Sequence, residues 1–465
     1  MQVDTAIVKD VVVVVPGIMG SELWDEHGNP IWAINAGALG TAIRTFGKSI
    51  KRLTLEAGIK DEPAPDKIHA RGLAKSLHVI PGLWTPIVGY DGLLDFLRSP
   101  RFHFVEPDPK QPDLIPNLIP FAYDWRLSNR YSGCLLAQVA TNALKRWRSQ
   151  PGFEDAKLIL ICHSMGGLVA RWFAEQEGGA PDIRAIVTIG TPHRGSLKAF
   201  ETLVNGLEPN IGPLHLSLTK FARSLPSLHQ LLPQYDCIVT HGGERTKRTN
   251  IVDAGCPGLD RIMTKDAADF HKAIAATAGS GYRLHKVVGI RQPTPITAAV
   301  LSNGKVEGYK DIDGQDDGGD GTVPQLAAQP EIGRGLEVHT VAKQHGELQE
   351  SRSVLDLVDG IITGETTIWA AVDEAEEIGI DLADYFLTGD KIELSVPKIN
   401  QRLHATIHTE TGAKVAGPVA LSRDGIAIFD AVPEGAYRVK VASAVPGGAR
   451  PVSKPILVFD PHKME

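Results

Sequence analysis

The segment KLILICHSMGGL spans residues 157–168 and joins two kinds of local pattern. Residues 157–161 form a short, almost wholly apolar run that is typical of a strand buried on both faces, and residues 165–177 have the apolar spacing of a helix. Between them the sequence follows the pattern Gly-x-Ser-x-Gly, with Cys162 in place of the first glycine. In a tight strand–turn–helix connection this pattern lifts the serine hydroxyl above a sheet, so it predicts that Ser164 is a nucleophile.

Two other interpretations of this segment were open on the sequence alone. Ser164 could be an ordinary N-cap residue of the helix, or Cys162 could be the nucleophile. The His-Ser-Met-Gly-Gly sequence in this context favours a nucleophilic Ser164 over a cap. The position of Cys162 at the end of the strand favours a buried structural thiol.

Strand and helix patterns alternate on both sides of this segment. The run Val11–Val15 ends at Pro-Gly and predicts a second central strand. Further strands are expected at 184–189 and 283–290, and further helices at 90–98, 132–149 and 347–362. The alternation predicts an α/β fold with a mostly parallel sheet and helices on both faces. Together with the serine turn it indicates an α/β-hydrolase fold.

The 465 residues are enough for two domains. We expect the α/β-hydrolase domain in residues 1–365, with a cap or lid insertion around 197–280, where the alternation stops. Residues 366–390 are expected to form an acidic helical linker. Residues 391–465 consist of short alternating runs between turns, which predict a small, sandwich-like all-β domain of unknown role and unknown partner.

The composition argues against several classes of function. The 48 basic and 55 acidic residues give a net charge of −7, without the basic excess of a nucleic-acid-binding protein. The longest aliphatic run, Val11–Val15, is far too short to cross a bilayer, and the first residues do not follow the pattern of a signal peptide. The four cysteines lack metal-binding spacing, so we expect reduced thiols in a cytoplasmic protein.

A nucleophilic serine needs a histidine base and a carboxylate that orients the histidine, and in this fold the carboxylate precedes the histidine along the chain. The glycine-rich acidic loop 311–324 offers several carboxylates. We predict Asp320, at the tightest turn of the loop, as the acid, with Asp317 as the alternative. The same loop could bind calcium, but it lacks the glutamate at the twelfth position of an EF-hand loop. We therefore expect no metal.

Two histidines follow this loop closely. His339 lies within an alternating strand pattern, whereas His345 lies in the loop after that strand, where α/β sheets place their reactive groups. We therefore predict His345 as the base. The oxyanion formed by attack on a carbonyl needs two backbone N–H groups. We predict those of Met165, directly after the serine, and of Ile18, in the glycine-containing turn after Val11–Val15.

Five motifs carry a resemblance to a known family. They are VPGIMGSEL at 15–23, PFAYDWR at 120–126, CHSMGG at 162–167, GTPHRGS at 190–196 and GDGTVP at 319–324. In this order they resemble the lecithin:cholesterol acyltransferase family, which includes phospholipid:diacylglycerol acyltransferases, lysosomal phospholipase and bacterial relatives. The resemblance covers about residues 10–350. It differs in having Cys162 at the elbow glycine and in lacking the export signal of the eukaryotic members.

The resemblance implies a Ser164–Asp320–His345 triad, an oxyanion hole from Ile18 and Met165, and a lipid ester substrate. It also implies a membrane-touching cap and a mobile lid. In such an enzyme the acyl group moves from a lipid to Ser164 and then to water or to an alcohol. We therefore expect a serine hydrolase or acyltransferase of the lipase, phospholipase A or O-acyltransferase type that needs no cofactor.

Two further functions remain as alternatives. A general carboxylesterase or thioesterase would act on small acyl esters, although the many leucines of residues 197–280 favour a lipid substrate. A catalytically inactive scaffold with a β binding module is disfavoured because every required residue type is present. Within 207–250, a leucine-rich stretch, Gly242-Gly243 and the cations Arg245, Lys247 and Arg248 predict a lid that contacts a membrane surface peripherally.

Overall fold

The computed structural model describes residues 8–33, 48–56, 61–75, 84–206, 213–239, 247–256, 258–276, 281–330, 336–365, 378–397, 401–445, 448–460 and 463. In chain order its strands are β1 (Val11–Val15), β2 (Ser21–Trp24), β3 (Pro30–Trp32), β4 (His69–Leu73), β5 (Leu118–Pro120), β6 (Leu158–His163), β7 (Ile183–Ile189), β8 (Ile238–Val239), β9 (Arg248–Thr249), β10 (Arg283–Gly289), β11 (Thr297–Val300), β12 (Val306–Tyr309), β13 (Leu336–Val341), β14 (Asp381–Leu382), β15 (Tyr385–Leu387), β16 (Ile392–Ser395), β17 (Leu403–Thr409), β18 (Lys414–Ala420), β19 (Ile426–Phe429), β20 (Gly435–Ser443) and β21 (Val452–Phe459).

The helices lie between these strands. They are α1 (Asp91–Leu97), α2 (Asn129–Arg148), α3 (Gly166–Gln176), α4 (Leu197–Asn205), α5 (Pro213–Ser224), α6 (Pro226–His229), α7 (Ile251–Ala254), α8 (Arg261–Ala276) and α9 (Arg352–Thr363). A short 3₁₀ helix, His345–Glu350, precedes α9. The helix predicted to begin at residue 347 therefore begins at Arg352, because this 3₁₀ turn comes first and Ser351 then caps α9 by accepting a hydrogen bond from the Val354 N–H.

The central sheet has six strands in the order β13-β10-β7-β6-β1-β5. Every neighbouring pair is parallel, so the carboxyl ends of all six strands meet at one edge of the sheet. The two strands predicted from all-apolar runs, β1 and β6, pair with each other inside the sheet. The predicted parallel sheet is confirmed.

Side chains of β1 alternate between two apolar cores on opposite faces of the sheet. Val11, Val13 and Val15 belong to the core that includes residues of α2 and α3, whereas Val12 and Val14 belong to the core that includes residues of α1 and α9. Because both faces are covered by helices, β1 and β6 are buried throughout and carry no polar face.

Residues between β7 and β10 form the helices α4 to α8 and the two short strands β8 and β9. These strands join β11 and β12 in a four-stranded sheet of order β12-β11-β8-β9. Buried apolar side chains of this insertion, among them Leu203, Phe221 and Leu228, extend the core that contains α2 and α3. The predicted lid elements Gly242, Gly243 and Arg245 lie outside the described residues.

The C-terminal residues form two antiparallel-rich sheets around their own apolar core. One sheet has the order β15-β21-β20-β17-β18 and the other the order β14-β16-β19. The acidic helix expected across 366–390 is not formed at 378–390, where β14 and β15 lie instead. The reason is a period of two: Ile378, Ile380 and Leu382 are buried in the β core.

None of the helices in the part of the chain that the structure describes is long and apolar enough to span a bilayer. The cysteines, at positions 134, 162, 237 and 256, are free thiols.

Candidate active site

Ser164 lies in the sharp turn between β6 and α3. Its backbone is in the left-handed region, with φ of 52°, and its N–H donates to the Ile189 carbonyl at 2.8 Å. A non-glycine residue in this conformation is strained, as in other strand–turn–helix nucleophile turns. Gly166 must lack a side chain, because a Cβ there would lie 2.4 Å from the Val15 carbonyl oxygen. Cys162 is fully buried, and burial raises the pKa of its thiol, which keeps it protonated.

The three side chains predicted as nucleophile, base and acid are in direct contact. Ser164 Oγ lies 2.9 Å from Nε2 of His345, and Nδ1 of His345 lies 2.7 Å from Oδ2 of Asp320. All three residues are at most 1% exposed. The other carboxylate oxygen of Asp320 accepts the N–H groups of Thr322 and Val323 at 2.9 and 2.7 Å. The carboxylate is thereby held with one oxygen toward the histidine.

The backbone of the same loop orients His345. The His345 N–H donates to the Asp320 carbonyl at 2.8 Å, so the acid and the base are linked by main chain as well as by side chain. The ring of Trp84 lies edge-on to the imidazole, with ring centroids 6.2 Å apart. These contacts fix the imidazole plane toward Ser164.

The alternative residues lie elsewhere. Asp317 is exposed and accepts a hydrogen bond from Gln315 Nε2 at 2.7 Å. Asp313, in the same acidic loop, pairs with Arg248 at 2.7 Å. His339 is on the edge strand β13, where it lies near His285 and Glu337.

The predicted oxyanion residues flank Ser164. A Cβ on Gly17 would lie 2.7 Å from Ser164 Cβ, so the turn that contains Ile18 passes directly over the serine. Met165 follows the serine and is the N-cap residue of α3, whose N-terminal N–H groups carry partial positive charge. Ile18 and Met165 are fully buried. The chain turns away after Ile18 because Met19 has a left-handed φ of 62°.

The segment PFAYDWR supports this turn. Tyr123 Oη donates to the Pro16 carbonyl at 2.8 Å, and Trp125 Nε1 donates to the Ser21 carbonyl at 3.1 Å. Both hydrogen bonds are buried. The motif that resembled a family signature therefore holds the two ends of the 16–21 turn against the body of the domain.

A hydrogen-bonded chain that sequence reasoning missed connects the turn to the base. Gly17 N–H donates to Tyr90 Oη at 2.8 Å, Tyr90 Oη lies 2.9 Å from His163 Nδ1, and His163 Nε2 lies 3.1 Å from the His345 carbonyl. A carbonyl only accepts, so His163 carries its proton on Nε2 and the tyrosine hydroxyl donates to Nδ1. Burial, with the nearby His345, lowers the pKa of His163 to about 3, so the ring is neutral.

The C-terminal sheets also contact the His345 loop, which sequence reasoning did not anticipate. Glu347, two residues after the base, is buried and accepts hydrogen bonds from Ser453 Oγ at 2.6 and 2.8 Å. Arg438 lies 3.4 Å from Glu347 and 3.0 Å from Glu350. Gln344, just before the base, donates to the Ile380 carbonyl at 3.2 Å. Signals for these contacts were absent from the local patterns, because each partner is distant in sequence.

The parallel sheet and the strained serine turn, with an aspartate and a histidine at the same edge, define an α/β-hydrolase fold. Over residues 116–256 the chain matches the profile of the lecithin:cholesterol acyltransferase family, and the predicted resemblance to that family is confirmed there.

Solved structures with a similar fold include a chain of the Tle4–Tli4 complex, with 16% identity, a TM-score of 0.50, and coverage of 77% of this chain and 99% of that one. The lipase BlEst2 of Bacillus licheniformis in its propeptide form has 10% identity and a TM-score of 0.35, with 98% and 95% covered. Phospholipase PlaB from Legionella pneumophila has 10% identity and a TM-score of 0.26, with 83% and 91% covered. At these identities the similarity concerns the fold alone. A search of curated proteins gave no match.

Proposed function

We propose that this protein is a serine-dependent acyl-transfer enzyme that acts on lipid esters and forms an acyl-enzyme on Ser164. The observation that carries the proposal is the buried line of hydrogen bonds from Ser164 through His345 to Asp320, with distances of 2.9 and 2.7 Å. Residues of these types at hydrogen-bond distance, beside backbone N–H groups at a helix start, are what acyl transfer requires.

In the proposed mechanism His345 acts first as a base and then as an acid. His345 Nε2 removes the proton of Ser164 as Oγ bonds to the substrate carbonyl carbon, and the carbonyl π electrons move to oxygen. The N–H groups of Ile18 and Met165 stabilise that oxyanion. The tetrahedral intermediate then collapses, and the bond to the leaving alcohol breaks as His345 returns the proton to it. Asp320 stabilises the imidazolium between these steps.

The second half of the reaction repeats these steps with a new nucleophile. Water attacking the acyl-enzyme gives a free fatty acid, whereas an alcohol gives a new ester. The balance depends on how dry the site is and how well an alcohol is positioned there. We propose lipid esters as acyl donors on the similarity to the lecithin:cholesterol acyltransferase family over 116–256 and on the apolar insertion.

Access to the site bears on the proposed lid. Ser164 and His345 are both 0% exposed, so a lipid carbonyl reaches the hydroxyl only after covering side chains move. Such movement at a lipid surface would make the enzyme a peripheral membrane protein, as the sequence predicts. Of the predicted surface cations, Arg248 is engaged by Asp313 in two hydrogen bonds of 2.7 and 3.1 Å. A cytoplasmic location stays a prediction of the sequence.

The decisive experiment combines covalent labelling with product analysis. A fluorophosphonate probe should label the wild-type protein, and Ser164→Ala should abolish labelling, while Ser149→Ala, an exposed serine at the end of α2, should label normally. Labelling that persists in Ser164→Ala would overturn the proposal.

The substrate class is tested with the same proteins. Phospholipid vesicles with and without a long-chain alcohol should yield fatty acid or new ester in the wild type and neither product in Ser164→Ala. If only soluble short-chain esters or thioesters are cleaved, with no change at the aggregation threshold of the ester, the general carboxylesterase or thioesterase alternative holds instead.

A further inference from the structure

Three side chains of types that can bind a metal ion lie together on one face of β10 and the edge strand β13 of the central sheet. Glu337 and His339 are two residues apart on the edge strand β13, so they share one face of it. His285 on β10 is the register partner of Glu337 and lies on the same face. Nδ1 of His285 is 3.0 Å from Oε2 of Glu337, and Nε2 of His339 is 4.0 Å from the same oxygen.

The cluster faces a cavity of about 530 Å³ between β10, β13 and α9. The side chain of His285 is 8% exposed and that of His339 12%, whereas Glu337 is 51% exposed and opens toward solvent. Ile361 in the last turn of α9 and its C-cap residue Gly364 line the opposite wall. Carbonyl groups at a helix C-terminus carry partial negative charge, which favours a cation in this cavity over an anion.

Two arginines also line the cavity and bear on its charge. Arg184 is already engaged, since its Nε lies 2.5 Å from Asp10 Oδ2 and Nη2 donates to the Ile362 carbonyl at 3.3 Å. Arg283 is exposed at the start of β10, where its charge is screened by water. Neither therefore cancels the attraction of Glu337 and the helix end for a cation.

The distances are close to those of a metal site. In a tetrahedral zinc site with bonds of about 2.0–2.2 Å, ligand atoms are about 3.4 Å apart. The three candidate ligand atoms here lie within 4.8 Å of one another. Side-chain rotations that move these atoms by about 1 Å would therefore complete the site. Two imidazoles and one carboxylate suit zinc and its neighbours in the first transition row rather than calcium or magnesium.

We propose that His285, Glu337 and His339 bind a divalent transition-metal ion of the Zn²⁺ class, with water at the position left open on the side of Glu337. The ion joins the edge strand β13 to β10 and so acts on stability rather than on acyl transfer. It differs from the site of Ser164: His285 is four residues before Gly289, which packs against Asp320, a separation of about 13 Å along the strand.

The test uses the full chain without a polyhistidine tag, freed of metal by a chelator that is then dialysed away. Calorimetric titration with Zn²⁺ should give one equivalent bound in the micromolar range or tighter and a higher unfolding temperature. His285→Asn and His339→Asn should each weaken zinc binding at least about 100-fold and remove the thermal shift. Glu337→Gln, at a half-exposed position, should weaken binding about 10-fold or more with the fold intact by circular dichroism.

The controls locate the ion. His404→Asn changes a partly buried histidine on β17 and should bind zinc like the wild type. The proposal is overturned if the wild type binds no zinc below the millimolar range, or if the three cluster variants bind it as tightly as the wild type. It is also overturned if His345→Ala alone abolishes binding, because the ion would then sit beside Ser164.

Discussion

Two pairs of histidines lie in different parts of the same domain, and they differ in their hydrogen bonds. At the carboxyl end of the sheet, each ring nitrogen of His163 and His345 has a partner at 2.7 to 3.1 Å, namely Tyr90, a carbonyl, Asp320 or Ser164. On β10 and β13, His285 and His339 converge on one carboxylate, at 3.0 and 4.0 Å. Burial alone does not separate the pairs, since His345 is 0% and His285 is 6% exposed.

The hydrogen-bond partners of a histidine indicate its role. At the carboxyl end each proton has one position: the carbonyl accepting from His163 fixes its tautomer, and Asp320 fixes that of His345. In the proposed mechanism this network takes the proton from Ser164 and returns it to the leaving group. On β10 and β13 the candidate ligand atoms of three side chains lie within 4.8 Å of one another, which is the arrangement we propose to bind a metal ion.

The largest effect is expected when Asp320, the predicted acid, is changed. Asp320→Asn should lower kcat/KM for an ester by about 10⁴, because an amide donating to Nδ1 of His345 holds the wrong tautomer for accepting the serine proton. Asp317→Asn, in the same loop but exposed, is the matched control and should retain activity. Ester hydrolysis at saturating and subsaturating substrate checks this. An inactive Asp317→Asn beside an active Asp320→Asn would identify the other carboxylate as the acid.

A smaller effect is expected when Tyr90, which positions the oxyanion turn and the His345 loop, is changed. Tyr90→Phe removes the hydroxyl that accepts from Gly17 and donates to His163, so both the oxyanion turn and the His345 carbonyl lose a fixed neighbour. We expect kcat to fall about 10- to 100-fold with KM nearly unchanged, the cost of a misplaced catalytic group. Tyr282→Phe removes a tyrosine hydroxyl bonded to Glu175, remote from the site, and should leave kcat unaltered. Equal kcat values in the two variants would contradict a positioning role for Tyr90.

Much of the site was predictable from sequence because it is built from local signals. The strand–turn–helix around Ser164 and the glycines around Asp320 have patterns that identify them before any contact is known. The choice of His345 over His339 rested on position relative to a strand end, and the structure brings His345 to Ser164 at 2.9 Å.

The features that were missed depend on contacts between distant residues. Tyr90 is 73 residues from both Gly17 and His163, and Glu347 is 106 residues from Ser453. The periodicity of apolar residues along the sequence does not indicate such pairs. The helix expected in the linker is wrong at 378–390 for another reason: the acidic composition suggested a helix, but Ile378, Ile380 and Leu382 alternate toward the C-terminal core, and tertiary packing overrode local preference there.

The third prediction concerns the contact between the C-terminal sheets and the His345 loop. Burial raises the pKa of Glu347 above its ordinary value, despite hydrogen bonds from Ser453 and the charge of Arg438. A carboxyl group whose pKa is raised on folding contributes most to the free energy of unfolding when the pH is below its ordinary pKa, near 4.5. That contribution is lost as the pH rises through the raised pKa. The unfolding temperature of Glu347→Gln relative to wild type should therefore rise by about 1–3 °C between pH 4 and pH 7.

Thermal unfolding monitored by circular dichroism across this pH range measures the difference. Glu393→Gln, on an exposed position of β16, should follow the wild type at every pH. If the unfolding temperature of Glu347→Gln relative to wild type instead falls as the pH rises, the carboxylate is stabilised, not penalised, in this contact.

The smallest expected effect concerns the relation between the proposed metal site and the Ser164 site. Saturating Zn²⁺ should raise the unfolding temperature of the wild type but change kcat for ester hydrolysis by less than about twofold, because His285 is about 13 Å along β10 from the glycine that packs against Asp320. Matched assays of the chelator-treated and zinc-loaded protein, with Zn²⁺ buffered to avoid excess, measure both quantities in one sample. Strong inhibition that tracks zinc occupancy would mean either binding at His345 or coupling through β10, and His345→Asn separates them by its own zinc affinity. If that affinity equals the wild-type value, zinc inhibits through the sheet, and the proposed metal site and the Ser164 site are not independent.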